Sequence, residues 1–255
     1  FGKDHKFNQI HDYSGFKNNV SIQTYESLRP YIEMQESQKT SALNEDHPIL
    51  YAQTSGSTGS PKLIPILKHS VAAYKRSQKL VSYAIYKVNP QAFSGKILAI
   101  VSPAVEGYLL SGAPFGSMSG LIFQSMPLFT RLKYVLPAAI FDISDYEKKY
   151  TQIAIHAMVE SNISMIATAN PSTLIKMVQL IKSKPYFFID QVSKLSVDRG
   201  EALKSIFSSK GQLAFEDLWP NLKAIVTWTC GSCSLLLGQL KKLLPKNSHI
   251  IEMGY

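Results

Sequence analysis

The chain has 255 residues, 45% hydrophobic and 11% aromatic, which is enough to bury a substantial core in one large domain or in part of a larger one. Its formal net charge is +9, but the lysines are scattered (Lys3, Lys6, Lys17, Lys39, Lys96, Lys204, Lys223), with short doublets only at Lys148-Lys149 and Lys241-Lys242. With no dense basic block carrying interleaved aromatics, a nucleic-acid interface is not expected, and no apolar run is long enough to cross a bilayer.

In chain order, residues from Phe7 to about Glu36 carry short helical patterns, with Pro30 placed to open a helix. The polar stretch 35–47 reads as a loop, and Ile49-Leu50-Tyr51-Ala52-Gln53 as a buried strand. Thr54-Ser55-Gly56-Ser57-Thr58-Gly59-Ser60-Pro61-Lys62 follows, and is expected between that strand and a long helix over 68–88. The helix shows Val71, Ala72, Leu80, Val81, Ala84 and Ile85 at helical spacing, and Asn89-Pro90 ends it. Lys96-Ile97-Leu98-Ala99-Ile100-Val101 reads as a strand. A second small-residue stretch runs from Ser111 to Gly120, and Leu121-Ile122-Phe123-Gln124 is read as a further strand. Residues 145–160 predict a helix with Ile153, Ala154, Ala157 and Met158 inward, and 163–168 a strand. Asn170 and Pro171 then supply the N-cap and first position of a helix running to about Lys182. Residues 222–228 read as a strand, 234–244 as a helix and 249–253 as a strand. Strands alternating with helices define an α/β fold with a largely parallel sheet flanked by helices. No linker divides the chain, so one structural unit is expected.

The 54–62 segment carries the most chemical information. Small residues let the backbone approach a bulky anion, and hydroxyls and bare N–H groups donate to phosphate oxygens. Lys62 adds a point charge at its end. It is not a Walker A loop, because Pro61 precedes Lys62 and Leu63 follows it, nor does it have the glycine spacing of a dinucleotide fingerprint. A loop of this kind suits a nucleoside triphosphate, and the positive charge of the chain favours approach of such an anion and of a carboxylate.

Further landmarks join it: Tyr25-Glu26-Ser27-Leu28-Arg29-Pro30-Tyr31-Ile32 upstream, and Leu218-Trp219-Pro220-Asn221-Leu222-Lys223-Ala224-Ile225, Trp228, Gly231-Ser232 and Leu244-Pro245 downstream. Together they resemble the auxin-responsive promoter family of acyl-acid amido synthetases, a branch of the adenylate-forming superfamily. The resemblance covers nearly the whole chain. It implies part of the large N-terminal domain of an adenylate-forming enzyme. Such enzymes use ATP and magnesium to adenylate a carboxylic acid, and an amine, typically of an amino acid, then takes the acyl group. By the same resemblance Ser55, Gly56, Ser57, Thr58 and Gly59 would hold the ATP phosphates, with Lys62 and Tyr255 also at the nucleotide. Gly116, Ser117, Ser119, Gly231 and Ser232 would line the substrate pocket. No residue of the chain is assigned a catalytic or metal-ligating role. Family members continue beyond the position of Tyr255 into a Ser-Glu-Gly motif and a mobile C-terminal lid. The 255 residues are therefore expected to be an incomplete, inactive N-terminal fragment, in keeping with a first residue that is not Met.

Other chemistries are weighed against this one. Cys230-Gly231-Ser232-Cys233 has the spacing of a redox pair between a strand and a helix. Because Gly231-Ser232 coincides with the family's own turn, both cysteines are expected as partly buried free thiols. Two cysteines give no disulfide framework and, without clustered histidines, no zinc site. The six histidines are dispersed, and His156 is expected to be packed within its helix. No G-x-S-x-G elbow supports a serine hydrolase. An acid–thiol ligase making a coenzyme A thioester shares the first step, and a non-catalytic nucleotide-binding module is the alternative from another class. Oligomeric state is left open. With no apolar signal core at the N-terminus, a cytoplasmic protein is expected.

Overall fold

The computed structural model describes residues 1–38, 41–54 and 61–253. After a helical turn at Phe7–Gln9 come α1 (Tyr13–Asn19), α2 (Tyr25–Gln38), β1 (Leu50–Gln53), β2 (Leu63–Ile66), α3 (Lys68–Val88), a turn at Pro90–Phe93, and β3 (Lys96–Ile100). Next are β4 (Gly107–Tyr108), β5 (Pro114–Gly116), α4 (Met118–Gln124), α5 (Leu128–Arg131), α6 (Tyr146–Val159) and β6 (Ile163–Thr168). Then follow α7 (Pro171–Ser183), α8 (Pro185–Leu195), α9 (Val197–Lys210), α10 (Phe215–Leu218), β7 (Ala224–Thr227), α11 (Ser234–Leu243) and β8 (His249–Glu252). Among the described residues no helix is long and apolar enough to cross a membrane.

The chain forms two compact units rather than the one expected. The first comprises Phe1–Lys75 with Pro103–Ile122, the second Arg76–Ser102 with Phe123–Tyr255. No linker marks the division because the chain leaves the first unit, returns to it, and leaves again, with two of the three boundaries falling inside helices α3 and α4 and the third just after β3.

The first unit holds a mixed sheet in the order β2-β1-β5-β4, in which β1 pairs antiparallel with β2 and parallel with β5. Its helix α2 departs from expectation twice. Pro30 lies at the sixth position instead of opening the helix. It forgoes a bond to the Glu26 carbonyl, but on an exposed face where solvent reaches that group. The helix also continues to Gln38, through residues read as loop. Gln35 is buried and organises that loop: its side-chain oxygen accepts from the N–H groups of Leu43 (2.9 Å) and Asn44 (3.3 Å), and its amide donates to the Asp46 carbonyl (3.2 Å).

The second unit holds the expected parallel sheet, ordered β3-β6-β7-β8. Both faces are covered, so its strands are near-continuous apolar runs. Leu98, Ile100, Ile166 and Ile225 face a core built from α6 to α9 and α11, while Ile97, Ala99, Met165, Ala224 and Val226 face Ile85 and Ala92. Buried Ser164 is satisfied on this second face, accepting from Gly95 N–H (2.9 Å) and donating to the Ala92 carbonyl (2.8 Å).

Helix α6 ends inside the core, where its last carbonyls need partners. Glu160 N–H donates to His156, the Trp219 indole N–H to Ala157 (2.7 Å), and Arg199 Nε to Met158 (2.9 Å). Arg199 also reaches the Leu218 carbonyl (2.5 Å), and burial pushes its pKa below the ordinary value against the opposing field of Glu160. Trp219 is fully buried, edge-on to Phe215 at 5.2 Å. Asp145 caps the start of α6 through Lys148 N–H (2.6 Å), and Asn170 caps α7 through Ser172 N–H (2.9 Å), with Pro171 in the first position as expected. Leu121–Gln124, expected as a strand, belongs to α4, because the Ser117 hydroxyl accepts from Gly120 N–H (3.0 Å) and starts a helix there.

Two predictions follow from the α6 terminus. Trp219→Phe keeps a ring and deletes the donor, so the Ala157 carbonyl is left dry and unpaired, at a cost of about 1–3 kcal/mol. Trp219→Ala adds a cavity, for about 3–5 kcal/mol. Urea unfolding midpoints that ranked the two variants equally would count against the cap. Second, burial lowers the pKa of His156, so between the unfolded value near 6.5 and the lower folded value the unfolded chain binds the extra proton. Stability contributed by neutral His156 is present above pH 6.5 and is lost as pH falls through the folded pKa. The fall in unfolding midpoint from pH 7.5 to 5.5 should be smaller in His156→Gln.

Candidate functional site

In the first unit the expected phosphate loop joins two antiparallel strands instead of a strand and a helix, because Leu63-Ile64-Pro65-Ile66 pairs with Leu50–Gln53 as an edge strand. Thr54 N–H donates to the Lys62 carbonyl (3.1 Å) and closes the last pair flanking the 55–60 segment. Ladder alternation then turns the main-chain groups of Leu63 and Pro65 away from β1. Pro65 has no N–H to satisfy there, which is why an edge strand tolerates it. Leu63 N–H donates to the Tyr25 hydroxyl (2.8 Å), which in turn lies 3.4 Å from the Leu63 carbonyl. The Tyr25 ring carries the Lys62 ammonium at 5.3 Å and the Arg29 guanidinium at 4.9 Å from its centroid. Lys62 is exposed and aimed by Tyr25 from α2. Tyr25 has a positioning role that residue type alone did not disclose; its only signal was membership of the upstream landmark. Ser55, Gly56, Ser57, Thr58, Gly59 and Tyr255 lie outside the described residues.

The second small-residue stretch passes through β5 and leaves it on the edge where the first begins. The parallel register Tyr51↔Phe115 and Ala52↔Gly116 aligns the carboxyl ends of β1 and β5, so the chain leaves both strands, at Thr54 and Ser117, on the same edge. Gly116 is buried, and a Cβ there would strike the Ala104 carbonyl. Its missing side chain serves this close approach. Ser117 Oγ donates to the Pro103 carbonyl (2.8 Å) and lies 3.2 Å from Ser119 Oγ, and Ser119 is exposed.

Gly231 and Ser232 belong to the second unit, at the carboxyl edge of its parallel sheet, where α/β sheets present their ligand-facing loops. This edge is tied strand to strand. The Ala169 carbonyl beyond β6 accepts from Thr227 Oγ1 (3.1 Å) and Trp228 N–H (3.0 Å). The Glu252 carboxylate of β8 accepts from Thr229 N–H (2.7 Å) and from the Thr229 hydroxyl. Gly231 has φ +60°, a left-handed turn that a Cβ would strain, and both Gly231 and Ser232 are exposed. Both cysteines are free, but where two partly buried thiols were expected Cys230 is exposed and Cys233 buried. The Thr229–Glu252 pair was not anticipated from sequence, since only strand pairing brings residues so far apart together.

Among the described residues no three His, Cys, Asp or Glu side chains cluster as a metal cage. Lys62 and the serine hydroxyls at the shared edge are cationic or hydrogen-bonding groups that fit a phosphate-bearing ligand.

A parallel α/β unit, together with a unit built on a mixed sheet with this serine- and glycine-rich edge, is the fold of the acyl acid amido synthetases. Solved structures of GH3.15 acyl acid amido synthetase and of AtGH3.15 acyl acid amido synthetase in complex with 2,4-DB superpose with TM-scores of 0.78 and 0.80 at 20% and 19% identity. These alignments cover 96% and 97% of this chain but 47% and 48% of theirs. The GH3 family N-terminal domain matches residues 1–199, and the chain belongs to the GH3 family. Indole-3-acetic acid-amido synthetase GH3.15 of Arabidopsis thaliana is 26% identical over 179 residues, 67% of this chain and 30% of its own length. The chain thus spans about half the length of its solved relatives, and its match to the curated one covers less than a third of that protein.

If Tyr25 anchors β2, Tyr25→Phe should speed hydrogen exchange at the Leu63 amide while Thr54, bonded to Lys62, stays protected. The expected stability loss is about 0.5–1.5 kcal/mol. Unchanged exchange at Leu63 would show that the hydroxyl holds nothing.

Proposed function

We propose that the protein activates a carboxylic acid with ATP, forming an acyl adenylate and pyrophosphate, and transfers the acyl group to an amine such as that of an amino acid. Membership of the GH3 family supports amide-forming ligation. The observation that carries the reading is the β1–β5 register, which brings the 54–62 segment and the Gly116–Ser119 part of the second small-residue stretch out on one edge. There Ser55, Gly56, Ser57, Thr58 and Gly59 cradle the phosphates, Lys62 offsets their charge, and Ser117 and Ser119 offer hydroxyls next to Gly116. By the family resemblance, Gly231 and Ser232 serve the acyl substrate and Tyr255 the nucleotide. Magnesium, when bound, neutralises charge on the phosphates. Among the described residues no His, Cys, Asp or Glu cluster is placed to hold it. The 255 residues correspond to an incomplete adenylation domain whose closing lid lies elsewhere. Since lids exclude water and complete such sites, these residues alone do not turn over.

The test is carboxylate-dependent exchange of pyrophosphate into ATP with a panel of acids, run on these 255 residues and on the longest open reading frame that contains them. Exchange is expected only from the longer protein, with an amide product once an amino acid is added. Gly56→Val in that protein should weaken ATP binding by blocking backbone approach. Failure of every acid to support exchange would overturn the reading.

A further inference from the structure

We propose that Cys230 and Cys233 form a reversible dithiol–disulfide pair, a modification site at the carboxyl edge of the parallel sheet that reacts with low-molecular-weight disulfides such as glutathione disulfide. The inference does not depend on the proposed ligase activity. It rests on an asymmetry absent from the sequence pattern, which led us to expect two partly buried thiols. Cys230 stands exposed as the N-cap of the helical turn Gly231–Cys233, and Cys233 is buried at its far end, just before α11. A 3-10 turn brings residues three apart to the same side. Tight turns hold such Cα atoms within about 7 Å, overlapping the span of about 4.4–6.8 Å that a disulfide bridges. The left-handed Gly231 (φ +60°) lets the chain reverse between them, and nothing would crowd a Cβ there, so the glycine answers the backbone and not a packed neighbour. Among the described residues no further acidic, histidine or cysteine side chains complete a metal site around the pair.

The exposed sulfur is the one a bulky solution disulfide can reach. The Cys230 thiolate attacks one sulfur of glutathione disulfide, forms a mixed disulfide and expels one glutathione thiolate. Cys233 then gives up its proton and attacks the Cys230 sulfur, closing the Cys230–Cys233 bond and expelling the second glutathione. Two protein thiols are oxidised by two electrons, and one glutathione disulfide is reduced to two thiols. Such a bridge closes a ring of very few residues and removes little unfolded-state entropy. It therefore adds little to the fold and reverses readily in excess glutathione.

The test equilibrates the whole chain in glutathione buffers from reducing to oxidising, quenches with acid, and maps thiols by maleimide labelling and peptide mass. Both thiols should disappear together, with an internal Cys230–Cys233 disulfide in the peptide spanning them. Cys233→Ser should stop at a stable glutathione adduct on Cys230. Cys230→Ser should leave Cys233 unmodified as long as its circular dichroism matches the parent. The proposal is overturned if the parent chain keeps two free thiols in the most oxidising buffer, if the Cys230 adduct persists without resolving, or if the bridges form between chains. The parent-chain measurement decides the matter even if both serine variants misfold.

Discussion

A helix that ends inside a core must find donors for carbonyls that no further turn will satisfy, and the end of α6 sets this requirement for the second unit. Its three partners come from different places: the backbone at Glu160, the indole of Trp219 and the guanidinium of Arg199. Because Arg199 also bonds the Leu218 carbonyl at the end of α10, one side chain from α9 joins two helix termini. Strand β6 begins only a few residues beyond that junction. Its fully buried core residues Ile163 and Ile166 are therefore held in place by polar bonds as well as by packing. The desolvated guanidinium is tolerated because main-chain carbonyls replace much of its hydration.

With both faces of the parallel sheet covered, only its ends are left for chemistry. The carboxyl end is stitched by hydrogen bonds from β6 to β7 and from β7 to β8, so the Gly231–Ser232 turn projects from a rigid rim. The first unit solves the same problem differently. Its sheet is small and has an open edge at β2, and Tyr25 caps the outward groups of Leu63 there. A single phenol thereby blunts an exposed edge and fixes the downstream flank of the serine- and glycine-rich segment.

Much of the fold was legible from sequence because local signals agreed with tertiary ones. The helix over Lys68–Val88, the strand Ile163–Thr168 and the Asn170-Pro171 cap stand as read. Misreadings arose where a partner outside the segment decided the outcome. Leu63-Ile64-Pro65-Ile66 was passed over between the 54–62 segment and the helix, and its pairing with β1 makes it an edge strand, where proline is tolerated. Leu121-Ile122-Phe123-Gln124 has strand-like composition, but the Ser117 hydroxyl commits it to a helix. Helices α8 and α9 carried ordinary signals that the pattern reading passed over: Pro185 in the first position, Ser196 as N-cap and Gly211 in a left-handed C-cap. The candidate residues were found as two small-residue stretches and a turn. The shared edge of the two stretches was invisible, since only the β1–β5 register reveals it.

The interleaving of the two units bears on the order in which the chain can fold as it is synthesised. The first unit spans two segments, so β1 waits for β5 across the whole of α3 and β3. Strand β3 appears early, yet its neighbour β6 follows only after the chain has gone back to finish the first unit. Until then the edge of Ile97, Leu98, Ala99 and Ile100 that β6 will fill stays open, and among the described residues the opposite edge gains bonds only at Ile97, with Lys133 and Val135. Pairings of such long sequence separation form slowly, and an unpaired apolar strand edge is an aggregation hazard meanwhile. Nascent chains halted between Ile100 and Ile163 are thus the species that would depend most on a chaperone.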